Sequence, residues 1–107
     1  MASNDSSVFR ALADATRRQI LHDLRQGELS AGDIAARFPI SGPSVSRHLS
    51  VLKAAGLVTE RREANHIFYT LVEERLATSV GNFLSAVCPR QVLIRTKRKG
   101  STRERSH

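Results

Sequence analysis

Apolar residues recur every three to four positions through the first quarter of the chain and predict two short helices. The first covers about residues 6–13. The second begins after Asp14, a typical N-cap, and ends near Gln26, before the helix-stopping Gly27. The apolar positions of the two helices are Phe9, Leu12, Ile20, Leu21 and Leu24. Each helix therefore presents one apolar face, and together these faces begin a core.

A helix-turn-helix pattern follows. Residues 30–33 resemble a capping box, with Asp33 in place of the usual Glu, and open a short helix that ends near Phe38, before Pro39. After a turn of about four residues, a longer helix over residues 43–55 begins at Pro43, whose locked φ suits a first helical turn. Val45, Leu49 and Leu52 lie on one face of this helix and are expected to point inward.

A β-hairpin and a last helix complete the pattern. Two strands, residues 57–62 and 66–72, flank the tip 63–65, where Asn65 is expected to take the positive φ of a short loop. The last helix covers residues 73–87 and ends before Pro89. The predicted fold is mainly α with a β-hairpin wing (α+β), in the order α1-α2-α3-α4-β-β-α5, which is a winged helix-turn-helix.

Composition limits this picture to one domain, which we assign to residues 1–89 of the 107. The sequence contains neither a long uncharged apolar run nor a basic-then-apolar start, so we expect a cytoplasmic protein without a membrane partner. The formal net charge is +7, but residues 90–107 hold seven Lys and Arg against one Glu. We expect this basic tail to be disordered, and composition leaves open whether it solubilises the chain or adds DNA affinity.

The outward face of the fourth helix carries the candidate DNA-binding chemistry. Small hydroxyl side chains allow a close approach to the major groove, and one long arginine can pair with a guanine edge. Two arginines and a histidine near the hairpin tip could reach phosphates or a minor groove. The alternative is that both sets are ordinary solvated surface. The candidates are Ser41, Pro43, Ser44, Ser46, Arg47, His48 and Ser50 on the helix, and Arg61, Arg62 and His66 on the hairpin.

The apolar stripes of the first and last helices are predicted to form a dimer interface. A domain this small offers limited core to two terminal apolar helices, although both helices could instead close the monomer core. A twofold dimer would present two recognition helices to half-sites roughly 34 Å apart on an imperfect palindrome. The predicted interface residues are Phe9, Leu12, Leu76, Val80, Phe83, Leu84 and Val87.

Four runs of the sequence resemble the ArsR/SmtB family of winged-helix regulators. They are VFRALADATRRQIL (residues 8–21), IAA (34–36), SVSRHLSVLKAAGLV (44–58), and RRE (61–63) leading into IFY (67–69), so that the resemblance spans about residues 8–88. It implies a homodimer, the recognition helix and wing assigned above, and usually a repressor that a signal releases from DNA. Within the family, the chain is most similar to the SdpR-like autorepressor branch, which lacks the usual metal ligands.

The departures from the family's metal sensors concern the ligands. Where thiolate sensors carry a cysteine pair, residues 28–33 read ELSAGD, and the last helix contains no histidine. We therefore expect no required cofactor, with Glu63, His66 and Cys88 as residual ligand candidates for zinc or nickel. A metal-responsive regulator with an atypical site, or one with a separate sensor protein as partner, stays an alternative.

Catalysis finds no support in the sequence. It contains no phosphate-binding glycine loop, nucleophile elbow or metal-hydrolase signature. The competing class is a protein-interaction module whose DNA binding is weak. Sequence-specific binding with a strong salt dependence would distinguish a regulator from such a module.

Overall fold

Five helices and three strands make up the part of the chain that the computed structural model describes, residues 2–91. The elements are α1 (Ala2–Leu12), α2 (Ala15–Leu24), β1 (Leu29–Ser30), α3 (Ala31–Ala35), α4 (Gly42–Ala54), β2 (Val58–Glu63), β3 (His66–Leu71) and α5 (Glu73–Val87). The predicted order of helices and hairpin is confirmed, with β1 as an additional strand. The described chain falls into two compact units, one up to Leu76 and one from Ala77 onward. The assignment of residues 1–89 to one domain stays a prediction.

Side-chain caps begin three of the helices. The carboxylate of Asp14 accepts a hydrogen bond from the backbone N–H of Arg17 (3.1 Å), as predicted for the start of α2. The hydroxyl of Ser30 accepts one from the N–H of Asp33 (3.0 Å) at the start of α3. Ser41 caps α4 in the same way. Each cap satisfies a backbone donor that the first helical turn leaves without a partner.

Several predicted boundaries shift. Helix α1 begins at Ala2, four residues earlier than predicted, whereas α2 ends at Leu24 and α3 ends at Ala35, both earlier than predicted. At the hairpin tip, the positive φ belongs to Ala64 (55°) and not to Asn65, which corrects the prediction. The reason is that β2 extends through Glu63, so the loop is shorter and the left-handed position moves toward β2.

One continuous core lies within the first unit. The inward residues predicted for α2 and α4 are all buried, and Ile20 and Leu52 are completely inaccessible to solvent. Burying a large aliphatic side chain contributes roughly 1.5–3 kcal/mol, so these side chains fix α4 on the body of the domain. The buried apolar residues are Val8, Ala11, Ile20, Leu21, Leu24, Ile34, Val45, Leu49, Leu52, Ala55, Leu57, Val58 and Tyr69.

The three strands form one antiparallel sheet in the order β1-β3-β2. On β3, Tyr69 is paired with Leu29 of β1 on one side and with Glu60 of β2 on the other. Because β1 is only two residues long, its sequence has no alternation from which a strand could be predicted. The short strand places Glu28 beside the wing, within hydrogen-bond distance of Arg61.

None of the helices in the described part has the length and hydropathy that crossing a bilayer requires. The predicted basic tail lies almost entirely in residues 92–107, outside the described residues.

Candidate nucleic-acid interface

The first half of α4 exposes a row of small polar side chains and one arginine. Ser46, Arg47 and Ser50 are exposed, whereas Val45 and Leu49, on the opposite side of the helix, are buried. The helical period of 3.6 residues produces this separation. The polar face predicted from the sequence is therefore an accessible face of α4.

The serine cap shapes the beginning of α4. Ser41 Oγ accepts a hydrogen bond from the N–H of Ser44 (3.2 Å) and donates one to Ser44 Oγ (3.0 Å). Pro43 lies in the first turn, where the absence of a backbone N–H costs nothing. The helix therefore begins with exposed hydroxyls around its N-terminus, the end of the helix dipole that attracts anions.

His48 differs from its neighbours on α4, and the prediction that it lies on the exposed face needs correction. Its side chain is only 20% exposed, and its Nδ1 lies 3.8 Å from the carboxylate of Asp14. The guanidinium of Arg17 is closer, with Nη1 at 3.2 Å from the same Nδ1. The backbone N–H of Arg17 is the main reason that the pKa of Asp14 lies below its ordinary value. His48 is thus held against the beginning of α2.

The two wing arginines have different surroundings. The guanidinium of Arg61 donates two hydrogen bonds to Glu28 (3.1 and 2.8 Å) and one to Glu63 (2.6 Å). It also lies over the ring of Phe68, 4.7 Å from the ring centroid. These contacts, with Glu28 first, raise the pKa of Arg61 and lower that of Glu28. Arg61 therefore ties the wing to the chain before β1, and two carboxylates offset its charge.

Arg62 is exposed, and neighbouring residues of a strand point to opposite faces of a sheet. Arg62 thus shares a face of β2 with Glu60, the carboxylate that pairs with Lys53 of α4 (3.0 Å). This ion pair links the wing to the end of α4. Of the two predicted arginines, Arg62 is therefore the one on the face of the wing that adjoins α4.

Comparisons with known proteins agree with this geometry. The helix-turn-helix domain family matches residues 12–61. The transcriptional repressor SdpR of Bacillus subtilis is 42% identical over 82 residues, which cover 77% of this chain and 91% of SdpR. The biofilm growth-associated repressor of Agrobacterium fabrum is 36% identical over 87 residues, 81% of this chain and 74% of that repressor. The solved ArsR-like transcriptional regulator from Rhodococcus sp. RHA1 is 29% identical, with a TM-score of 0.72 and 92% of each chain covered.

The chain belongs to the ArsR family. It is a DNA-binding transcription regulator and not an enzyme, which confirms both predictions. Neither the DNA-contacting residues nor the dimer interface is tested by these comparisons, so their assignments stay predictions for this ArsR-family chain.

Two of the residual metal-ligand candidates, Glu63 and His66, lie at the hairpin tip. Glu63 and His66 face each other across the hairpin tip, but Arg61 occupies the carboxylate of Glu63. Among the described residues, no group of three or more His, Cys, Asp or Glu side chains could hold a metal ion. A first-row metal prefers three or four converging ligands, so Glu63 and His66 would need further ligands, and Glu63, His66 and Cys88 stay predicted candidates.

The predicted dimer residues fall into two groups. Phe9, Phe83, Leu84 and Val87 are exposed, at 37%, 52%, 42% and 61%. Leu12 and Leu76 are partly buried against the core of the first unit, so they help to close the monomer, and Val80 is half-buried. The exposed group is therefore the part of the predicted interface that lies at the surface of the described chain.

The sequence analysis did not identify Arg17 and Glu28 as partners of the candidate site residues His48 and Arg61. Arg17 was part of the run that resembles the family, but helical periodicity does not indicate that it reaches His48, 31 residues away. Glu28 pairs with Arg61 across 33 residues. Only the packing of the elements brings these partners together.

Proposed function

We propose that this ArsR-family regulator binds an imperfect palindromic operator as a homodimer and represses transcription there. The observation that carries the proposal is the polar face at the beginning of α4, where Ser41, Ser46, Arg47 and Ser50 are exposed and Ser44 is half-buried. The repressors SdpR and the biofilm growth-associated repressor support the direction of regulation. We further propose that it acts in the cytoplasm, where bacterial DNA lies.

The shape of α4 suits insertion into the major groove. Its buried side anchors the helix through Val45, Leu49 and Leu52, which leaves the opposite side to solvent. Hydroxyl side chains are short enough for a close approach and can bond to phosphates or base edges. Arg47 alone on this face is long enough to make a bidentate contact with a guanine. We therefore assign positioning to the serines and sequence discrimination to Arg47.

We assign the wing contact to Arg62, with His66 as a second candidate at the tip. Arg62 shares the sheet face that adjoins α4, whereas the charge of Arg61 is engaged by Glu28 and Glu63. A phosphate would have to displace those carboxylates before it could bind Arg61. Arg61 therefore acts in our proposal as a brace of the wing and not as a DNA contact.

The exposed apolar side chains of the terminal helices support the proposed dimer. Phe83, Leu84 and Val87 lie at i, i+1 and i+4 on α5, so together they form a patch that water solvates poorly. Phe9 supplies a similar side chain on α1. A second copy is the occupant that we propose, because a twofold pair presents two α4 helices to the half-sites of a palindrome.

A direct binding assay tests the proposal. Fluorescent duplexes tiled across the region upstream of the chain's own coding sequence are titrated with the full chain, and anisotropy is recorded at several salt concentrations. We expect one duplex to bind at least about 10³-fold more tightly than a scrambled duplex of the same composition. Equal binding to all duplexes would refute sequence-specific regulation and favour a protein-interaction module. Sedimentation of the protein with the preferred duplex then gives the number of chains bound.

A further inference from the structure

Arg17 connects the end of α1 with α4. Its Nε donates a hydrogen bond to the carbonyl of Ala11 (2.8 Å), and its Nη2 donates one to the carbonyl of Arg10 (3.1 Å). Both carbonyls lie in the last turn of α1, and that of Arg10 also accepts a hydrogen bond from the backbone N–H of Ala13 (3.2 Å). Its Nη1 lies 3.2 Å from Nδ1 of His48 on α4. One planar guanidinium thus holds two helices at once.

The contact between Arg17 and His48 determines the tautomer of the imidazole. A guanidinium has only N–H donors, so Nδ1 of His48 must accept, and the ring proton must then lie on Nε2. The carboxylate of Asp14 lies 3.8 Å from the same Nδ1, which is too long for a hydrogen bond. His48 therefore has one donor left, its Nε2–H.

We infer that Arg17 is a positioning residue for DNA binding, because it holds His48 of α4 as the Nε2–H tautomer and so sets the donor that this side chain, still 20% exposed, can offer to the operator. The inference rests on the proposed role of α4 as the reading helix. It goes beyond that role because Arg17 lies on α2 and not on α4. A residue outside the reading helix would thus influence how that helix binds DNA.

Arg18 provides a matched control. Its Nη1 donates a hydrogen bond to the carbonyl of Leu12 (2.7 Å), so it also binds the end of α1. No hydrogen bond joins Arg18 to α4 within the described residues. Arg17→Gln and Arg18→Gln each remove one positive charge and at least one contact with α1, but only Arg17→Gln removes the contact with His48.

Two measurements on the full chain separate positioning from stability. Histidine ¹⁵N spectra report the tautomer, and the His48 signals are assigned by their loss in His48→Gln. We expect the Nε2–H pattern for the unaltered chain and for Arg18→Gln, and a mixture of tautomers for Arg17→Gln. Arg17→Gln removes the hydrogen bond between the charged guanidinium and His48. It should therefore bind the preferred upstream duplex about tenfold more weakly than Arg18→Gln does.

The outcomes are distinguishable. If Arg17→Gln keeps the Nε2–H tautomer, or if it binds DNA as tightly as Arg18→Gln, the inference is overturned. If Arg17→Gln does not fold, Arg17→Lys decides the question, because one ammonium cannot hold two carbonyls and an imidazole in the geometry of a guanidinium. We expect mixed tautomers for Arg17→Lys as well. Failure of the unaltered chain to prefer any duplex would instead refute the proposed function, while the tautomer result would stand.

Discussion

Replacing Arg47 by alanine removes the long cationic donor on the exposed face of α4. The other cation of this helix, Lys53, is in an ion pair with Glu60, whereas the side chain of Arg47 is exposed. A bidentate pair between arginine and guanine discriminates against a wrong base by about 1–3 kcal/mol. At about 1.4 kcal/mol for each factor of ten, this is roughly a 5- to 150-fold loss of selectivity at each half-site.

The assay is an anisotropy titration of Arg47→Ala against the preferred duplex and against duplexes with single base-pair changes. A base contact predicts that selectivity falls at one or two positions while the salt dependence stays the same. A phosphate contact predicts that all duplexes weaken alike and that the slope of log K against log salt falls by about 0.9 per contact. The same data therefore decide which kind of contact Arg47 makes.

Arg37→Ala is a suitable control, because it removes an equal charge from a residue that lies beyond α3 and pairs with Asp23 (3.7 Å). We expect it to leave selectivity unchanged. If Arg47→Ala retains full selectivity at every position, or if Arg37→Ala relaxes it equally, our assignment of Arg47 as the reading residue is wrong.

Three further predictions concern stability and the tail. Leu52→Ala, at a completely buried position, should lower the free energy of unfolding by about 2–5 kcal/mol in urea melts. The control Ile40→Ala, at a 40% exposed position, should change it by less than about 0.5 kcal/mol. Equal effects of the two substitutions would contradict the described core. In the folded chain, the N–H of Arg17 lowers the pKa of Asp14, and the side chain of Arg61 lowers the pKa of Glu28. Both carboxylates therefore stabilise the fold above their unfolded pKa, and this contribution disappears as the pH falls through their folded pKa. The urea midpoint should therefore decrease below about pH 4, and less steeply in Asp14→Asn; an unchanged profile in that variant would refute the assignment. Removing residues 92–107 should weaken binding to all duplexes alike and flatten the salt dependence; a loss confined to the preferred duplex would show that the tail reads sequence.

Much of the fold could be predicted because its signals are local. Asp14, Ser30 and Ser41 each cap a helix through a backbone N–H only three residues away. The inward stripes follow from helical periodicity, which an amphipathic segment displays within a window of about 11–18 residues. The resemblance to the ArsR family independently implied the same arrangement of helices and hairpin. These features required no knowledge of which distant residues meet.

The site was only partly predictable, because the roles of similar residues depend on their distant neighbours. Arg61 and Arg62 are adjacent and chemically identical, yet the structure engages Arg61 with Glu28 and leaves Arg62 exposed on the opposite face of the strand. His48 belongs to the same polar run as Arg47, but helix packing places it against Arg17.

The amino-acid sequence by itself determined the order of the helices and the hairpin, the caps at Asp14 and Ser30, and which helical faces are apolar. Its resemblance to the ArsR family implied the winged helix-turn-helix. Only the tertiary structure decided which cationic side chains are paired within the protein, as Arg61 is with Glu28, and which are exposed, as Arg47 and Arg62 are. The physical reason is the sequence separation of the interacting residues, because caps and periodicity act within one or two helical turns. Glu28 is 33 residues from Arg61 and Arg17 is 31 residues from His48, so these partners meet only after the core has packed.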